Sequence, residues 1–401
     1  MNSGSKSIIS GTATSPRGFL AGAVASGIKY HRELDLGILY SEEPCVAAGV
    51  FTTNAIKAAP IALSQRQLQG RSAQAIVVNS GCANACTGDS GVTDAGEIVS
   101  LVAEKLGLPL SDVLVASTGV IGVPLPMEQI RAGIRNIKLT KDGGHELAKA
   151  MMTTDTFTKE IAVSVGVEPG GFTIGGVAKG AGMIHPDMAT MLCFLATDAA
   201  VDADFLQVAL RKSADRSFNM ITVDGDTSPS DMVVLLANGL AGDERIDHSN
   251  GDIFQRALDE VCLYLAKCIA RDGEGAIKLM EISIEGAFTE NEARLAARTI
   301  AGSSLVKAAI HGNDPNWGRI VVALGRSGAQ VAERKLDLYL NDVCVMKQGS
   351  PVSFNREMVS SSLGGKEVFL RLSLNLGSGR AIAWGCDLSE EYVTINSAYT
   401  T

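Results

Sequence analysis

Short runs of Val, Ile and Leu alternate along the chain with longer stretches in which apolar residues recur every three or four positions. The first pattern builds strands and the second amphipathic helices, so the chain is expected to be α/β or α+β. Residues 75–79 (AIVVN) read as a buried strand running into a Gly-rich turn, and residues 92–106 as a helix offering Val99, Leu101, Val102 and Leu106 to the core. Residues 114–117 predict a strand that ends at Thr118-Gly119. Residues 145–152 predict a helix leading into the polar knot Thr153-Thr154-Asp155-Thr156. Strands over 160–167 and 172–177 pair around Pro169-Gly170-Gly171. Asp202 is placed to cap a helix running to about Asp215, and residues 253–272 form the longest helical pattern, stopping at Gly273. Beyond it, residues 280–284, 320–324, 336–340 and 367–372 read as strands.

Composition narrows the class. With 46% hydrophobic and 20% charged residues in a chain of 401, a large core closes without staples. Disorder is expected only in the Ser/Gly/Thr-rich first dozen residues. A net charge of −9 excludes nucleic acid as a main partner, because phosphate binding needs a basic face. The cysteines form no CxxC pair and stand beside no His at ligand spacing, so buried reduced thiols and no metal are expected. Residues 18–27 are too Gly-rich for a secretory core, and no apolar run reaches the roughly 18–20 residues of a membrane span. The expected location is cytoplasmic, with no membrane partner.

The most unusual stretch is 179–199, KGAGMIHPDMATMLCFLATDA. Gly180 and Gly182 free the backbone, Pro186 stiffens it, and after Thr190 the chain turns apolar, as a buried strand does. A lone hydroxyl therefore stands where a flexible loop meets a rigid strand. Were the bond between Ala189 and Thr190 to break, Thr190 would gain an α-amine with a pKa near 7.7–8.0. One residue would then carry nucleophile and base together. A threonine at a strand start is, by itself, more often structural.

This segment resembles the cleavage site of the ornithine acetyltransferase family, also called bifunctional glutamate N-acetyltransferase or arginine biosynthesis protein ArgJ. The resemblance recurs, in order, in PRGF (16–19), NSGCANACTG (79–88), STGVIG (117–122), MMTTDT (151–156) and SFNMITVDGDTS (217–228). It continues in DGEGA (272–276), HGNDPNWGRI (311–320), GCDLSEEYV (385–393) and the terminal INSAYTT.

What the resemblance implies is a self-processing acyltransferase fold of the ornithine acetyltransferase/DmpA superfamily, with mixed sheets layered between helices, cut between Ala189 and Thr190. It would give an α chain of residues 1–189 and a β chain of 190–401, from two interleaved domains, assembled as a heterotetramer of two α and two β chains. Thr190 would attack the acetyl carbon of N-acetylornithine, and glutamate would then take the acetyl group. Thr118 and Gly119 would form the oxyanion hole. Thr156, Lys179, Glu274, Asn396 and Thr401 would contact the amino-acid substrate, with Thr154 an alternative to Thr156. No cofactor is implied, although acetyl-CoA is a possible second donor. Cys82 is a weaker nucleophile candidate, since nothing local supplies its base. His185 stands where relatives carry alanine, near enough in sequence to bear on the cleavage. The competing classes are a self-processing amidohydrolase or aminopeptidase, an acetyltransferase of a secondary pathway, and a non-enzymatic assembly protein.

Overall fold

The structure, a computed structural model, describes residues 5–29, 33–166, 171–185, 191–242 and 244–398. Ala189, Thr190 and Thr401 lie outside the described residues, as do Pro169 and Gly170 of the expected turn. The strands, in chain order, begin with β1 (Ser5–Ser7), β2 (Phe19–Val24), β3 (Leu36–Phe51), β4 (Ser72–Cys82) and β5 (Val113–Val120). There follow β6 (Lys159–Val165), β7 (Phe172–Lys179), β8 (Leu192–Thr197), β9 (Ile221–Thr222), β10 (Met232–Ala237) and β11 (Leu279–Ala287). The last are β12 (Asp337–Leu340), β13 (Val343–Lys347), β14 (Ser350–Pro351), β15 (Glu367–Ser373) and β16 (Gly379–Cys386). Among the described residues they form two mixed sheets. The nine-stranded one runs β1-β6-β7-β8-β10-β3-β4-β5 with β2 beside β3, and the seven-stranded one runs β14-β13-β12-β15-β11-β16-β9.

β3 organises the larger sheet. Its register with β4 shifts between Tyr40 and Cys45, and its other edge pairs first with β2, from Leu36 to Ser41, and then with β10, from Val46 to Phe51. Leu39, Ile76 and Leu114 from one part meet Val177, Phe194 and Leu236 from the other in a single buried cluster. β8 and β10 are buried at every position and pair in parallel, which is why both read as unbroken apolar runs.

Helices cover both outer faces. Gly88–Leu106 lays Ile98 and Val102 on β4 and β5, and Met127–Asn136 packs Ile130 and Ile134 against that helix and β3. Ala203–Arg216 and Asp252–Arg271 pack on the other side, the second also touching the smaller sheet. The Asp202 carboxylate caps the former helix, accepting from the amides of Asp204 and Phe205 at 2.9 and 3.1 Å. No described helix is long and apolar enough to cross a membrane.

Three sequence expectations change. Residues 320–324 (IVVAL) are helical, within Trp317–Gly325, because Ile320, Ala323 and Leu324 share one buried face at spacings of three and four. The strand expected over 75–79 runs on through Ser80 and Gly81 to Cys82. Ser5–Ser7, inside the supposedly disordered leader, adds an antiparallel strand to β6.

Candidate active site

The C-terminal ends of β4, β5 and β7 meet at one cavity of about 270 Å³. Thr118 and Gly119 come from β5, Lys179 from the last position of β7, and Thr153 and Thr154 from the knot after the helix Gly144–Met151. Glu274 follows the helix Asp252–Arg271, and Asn396 comes from the C-terminal helix Glu390–Ala398. Five of the residues expected at the site thus meet although up to 278 positions separate them (Thr118 to Asn396, 396 − 118).

Gly119 has a φ of +126°, and a Cβ there would stand 2.4 Å from the Gly81 carbonyl carbon. Only glycine allows β5 to pass β4 so closely. Thr118 is buried, and its Oγ1 accepts from the Lys179 ammonium at 3.4 Å. Its own hydroxyl proton is therefore directed elsewhere, with the cavity on its open side. Lys179 also donates to Thr153 Oγ1 at 2.8 Å. Burial pushes its ammonium below the ordinary lysine range, and the charge of Asp155 opposes that shift.

A buried charge network lies behind Lys179. Asp155 Oδ1 accepts from Lys159 Nζ at 2.6 Å and from the Gly180 amide at 2.7 Å, while its Oδ2 accepts from the Thr153 amide at 3.0 Å. Burial alone would raise the Asp155 carboxyl, but the ammonium groups of Lys179 and Lys159 outweigh it and hold the group at about 2. Lys159 is fully buried and reaches Asp272 Oδ2 at 2.5 Å. Thr156 gives both its amide and its hydroxyl to Asp272. It faces this network, whereas Thr153 and Thr154 line the cavity.

On the opposite wall Glu274 approaches Gly182 so closely that a Cβ there would fall 2.4 Å from its carboxyl carbon. Glu274 Oε2 accepts from Asn396 Nδ2 at 2.7 Å, which ties the C-terminal helix to the site. Asp224 accepts the amides of Met183 and Ile184 at 2.5 and 2.9 Å. Burial raises its carboxyl, and those amides pull it back. Tyr392 stands beside it, its phenol raised by burial and then by the Asp224 charge.

Cys82 is no activated thiol: it donates to the Val123 carbonyl at 3.0 Å, and burial raises its pKa. His185 Nδ1 lies 3.2 Å from Thr222 Oγ1, turned toward β9. Thr153, Asp155, Lys159, Asp224, Asp272 and Tyr392 were not singled out in sequence. All but Lys159 do lie inside the quoted motifs, and only side-chain direction separates them from their neighbours. Among the described residues no cluster of His, Cys, Asp and Glu is arranged to hold a metal ion.

Comparison with known proteins gives a consistent result. The ArgJ family model matches residues 20–401. The arginine biosynthesis bifunctional protein ArgJ of Dehalococcoides mccartyi is 54% identical over 395 residues, covering 98% of each chain. The protein of the same name from Symbiobacterium thermophilum is 51% identical over 399 residues, covering 98% of this chain and 99% of the relative. A crystal structure of the arginine biosynthesis bifunctional protein argJ from Bacillus halodurans is 45% identical, with a TM-score of 0.50. It covers 51% of this chain and 98% of its own.

Proposed function

The chain belongs to the ArgJ family, and from that premise we propose that it carries an acetyl group from N-acetylornithine to glutamate on the hydroxyl of Thr190, after cutting itself between Ala189 and Thr190. The observation that carries the reading is one cavity gathering Thr118, Gly119, Lys179, Glu274 and Asn396. Lys179 starts the 179–199 segment at the end of β7, and Leu192 at the start of β8 pairs with it. The solved relative matches 51% of this chain over 98% of its own length, a length in keeping with one of the two expected fragments.

In this scheme the Thr190 α-amine takes the hydroxyl proton as oxygen attacks the acetyl carbon, and negative charge develops on the carbonyl oxygen. The Gly119 amide and Thr118 hydroxyl stabilise that charge. The tetrahedral intermediate collapses to the acetyl ester, and the leaving amine of ornithine takes the proton back. Glutamate reverses these steps with its own amine. Lys179 suits the substrate carboxylate and Glu274 an ammonium, with Asn396 orienting Glu274. Thr154 or Thr156 and Thr401 would complete the contacts. Acetyl-CoA is the candidate second donor, in keeping with the word bifunctional in the relatives' names. The α and β chains would associate as a heterotetramer in the cytoplasm.

Incubation with N-acetylornithine should add one acetyl group to the fragment that starts at Thr190, and added glutamate should remove it. An unmodified fragment under turnover conditions would overturn the scheme.

A further inference from the structure

Behind the Ser228-Pro229-Ser230 wall of the cavity sits Asp231, 1% exposed. It immediately precedes β10, whose first residue, Met232, pairs with Leu192 of β8. Asp231 consequently lies opposite Met191, and its carboxylate accepts the Met191 amide. That amide is the nitrogen of the peptide bond joining Thr190 to Met191. The second carboxyl oxygen, Oδ2, is buried and has no hydrogen-bond partner among the described residues. A buried carboxylate oxygen left bare is costly, so a donor is expected to arrive there in the working protein. Burial pushes this carboxyl well above the usual range, and the Met191 amide, the Lys179 ammonium and the Ser228 hydroxyl pull it back. The main-chain nitrogen one residue before Met191 N is, by covalent geometry, no more than about 3.6 Å from it.

Resting on the nucleophile reading above, we propose that Asp231 is a positioning residue for the threonine that self-cleavage exposes. One oxygen holds the Thr190–Met191 amide, and the other receives an N–H of the new α-amine. With one hydrogen so engaged, the amine lone pair is aimed at the threonine hydroxyl. When that hydroxyl gives its proton to the amine, the ammonium formed is already paired with a carboxylate. No bond to Asp231 forms or breaks. Before the cut no amine exists, so Asp231 serves acyl transfer and not maturation.

The test is Asp231→Asn in the full chain, which keeps an acceptor for the Met191 amide but cannot pair with an ammonium. The two fragments should appear at a rate within about twofold of the unaltered protein, while kcat for acetyl transfer falls at least about tenfold and KM for N-acetylornithine moves less than about threefold. Unchanged kcat in the fully cut variant overturns the proposal. So does cleavage that slows in step with turnover, because the carboxylate would then act before any amine exists. Should the Asn variant not fold, Asp231→Ser provides the same three readouts. If the unaltered protein transfers no acetyl group, the acetyltransferase reading itself fails; transfer retained equally by variant and parent removes the Asp231 role alone.

Discussion

Thr118 and Gly119 divide two demands between adjacent residues: one offers a hydroxyl to the cavity, the other lets two backbones nearly touch. Thr118→Val should lower kcat by about 10²-fold with little change in unfolding temperature, measured by steady-state acetyl transfer and thermal melts. Gly119→Ala should be worse on both counts, since its Cβ meets main chain at 2.4 Å and has no flexible neighbour to displace. Asp155 carries a pH prediction. Its folded-state pKa, about 2, lies below the ordinary 3.8. Its contribution to stability is therefore fully present above the ordinary value and is lost as pH falls through the folded one. Melts between about pH 5 and pH 2 should show that loss, and Asp155→Asn should lower the melting temperature near pH 7 while flattening the acid limb.

At the scale of elements, the polar knot, β6 and the end of the long helix are pinned by Lys159 between Asp155 and Asp272. Lys159→Met would leave two carboxylates buried without their cation, an arrangement that costs about 3–5 kcal/mol; urea unfolding measures it. The C-terminal helix Glu390–Ala398 behaves oppositely. None of its residues is buried, yet Asn396 reaches Glu274. Removing residues 396–401 should cut acetyl transfer by about 10²-fold or more while the melting temperature stays close to that of the full chain. The same scale shows where sequence reading misled. IVVAL at 320–324 carries β-branched residues that suit a strand, but the buried spacing Ile320–Ala323–Leu324 makes a helix. The Asp202 cap, by contrast, was legible because capping is settled within three residues.

Across the whole molecule, the proposed cut falls between β7 and β8, which are antiparallel neighbours paired from Ile174↔Thr197 to Lys179↔Leu192. Severing their connection breaks no ladder hydrogen bond and leaves Val177 and Phe194 in the shared core. The two pieces should co-elute in gel filtration and separate only in denaturant. A Thr190→Ala chain should remain whole on a denaturing gel.

The sequence by itself determined what depends on neighbours along the chain: the apolar periods of most strands and helices, the glycine that frees the backbone at 180, where φ is +153°, and the motifs that place the chain in its family. The tertiary structure alone decided which side chains share a volume. That Thr153 and Thr154 line the cavity while Thr156 turns to Asp272 depends on the end of a helix more than a hundred residues later. That Asp231 reaches the Met191 amide depends on a parallel register between strands with a helix between them. Local pattern fixes conformation through covalent and short-range forces, whereas the pairing of charges and the burial that tunes them arise only when distant segments close around one space.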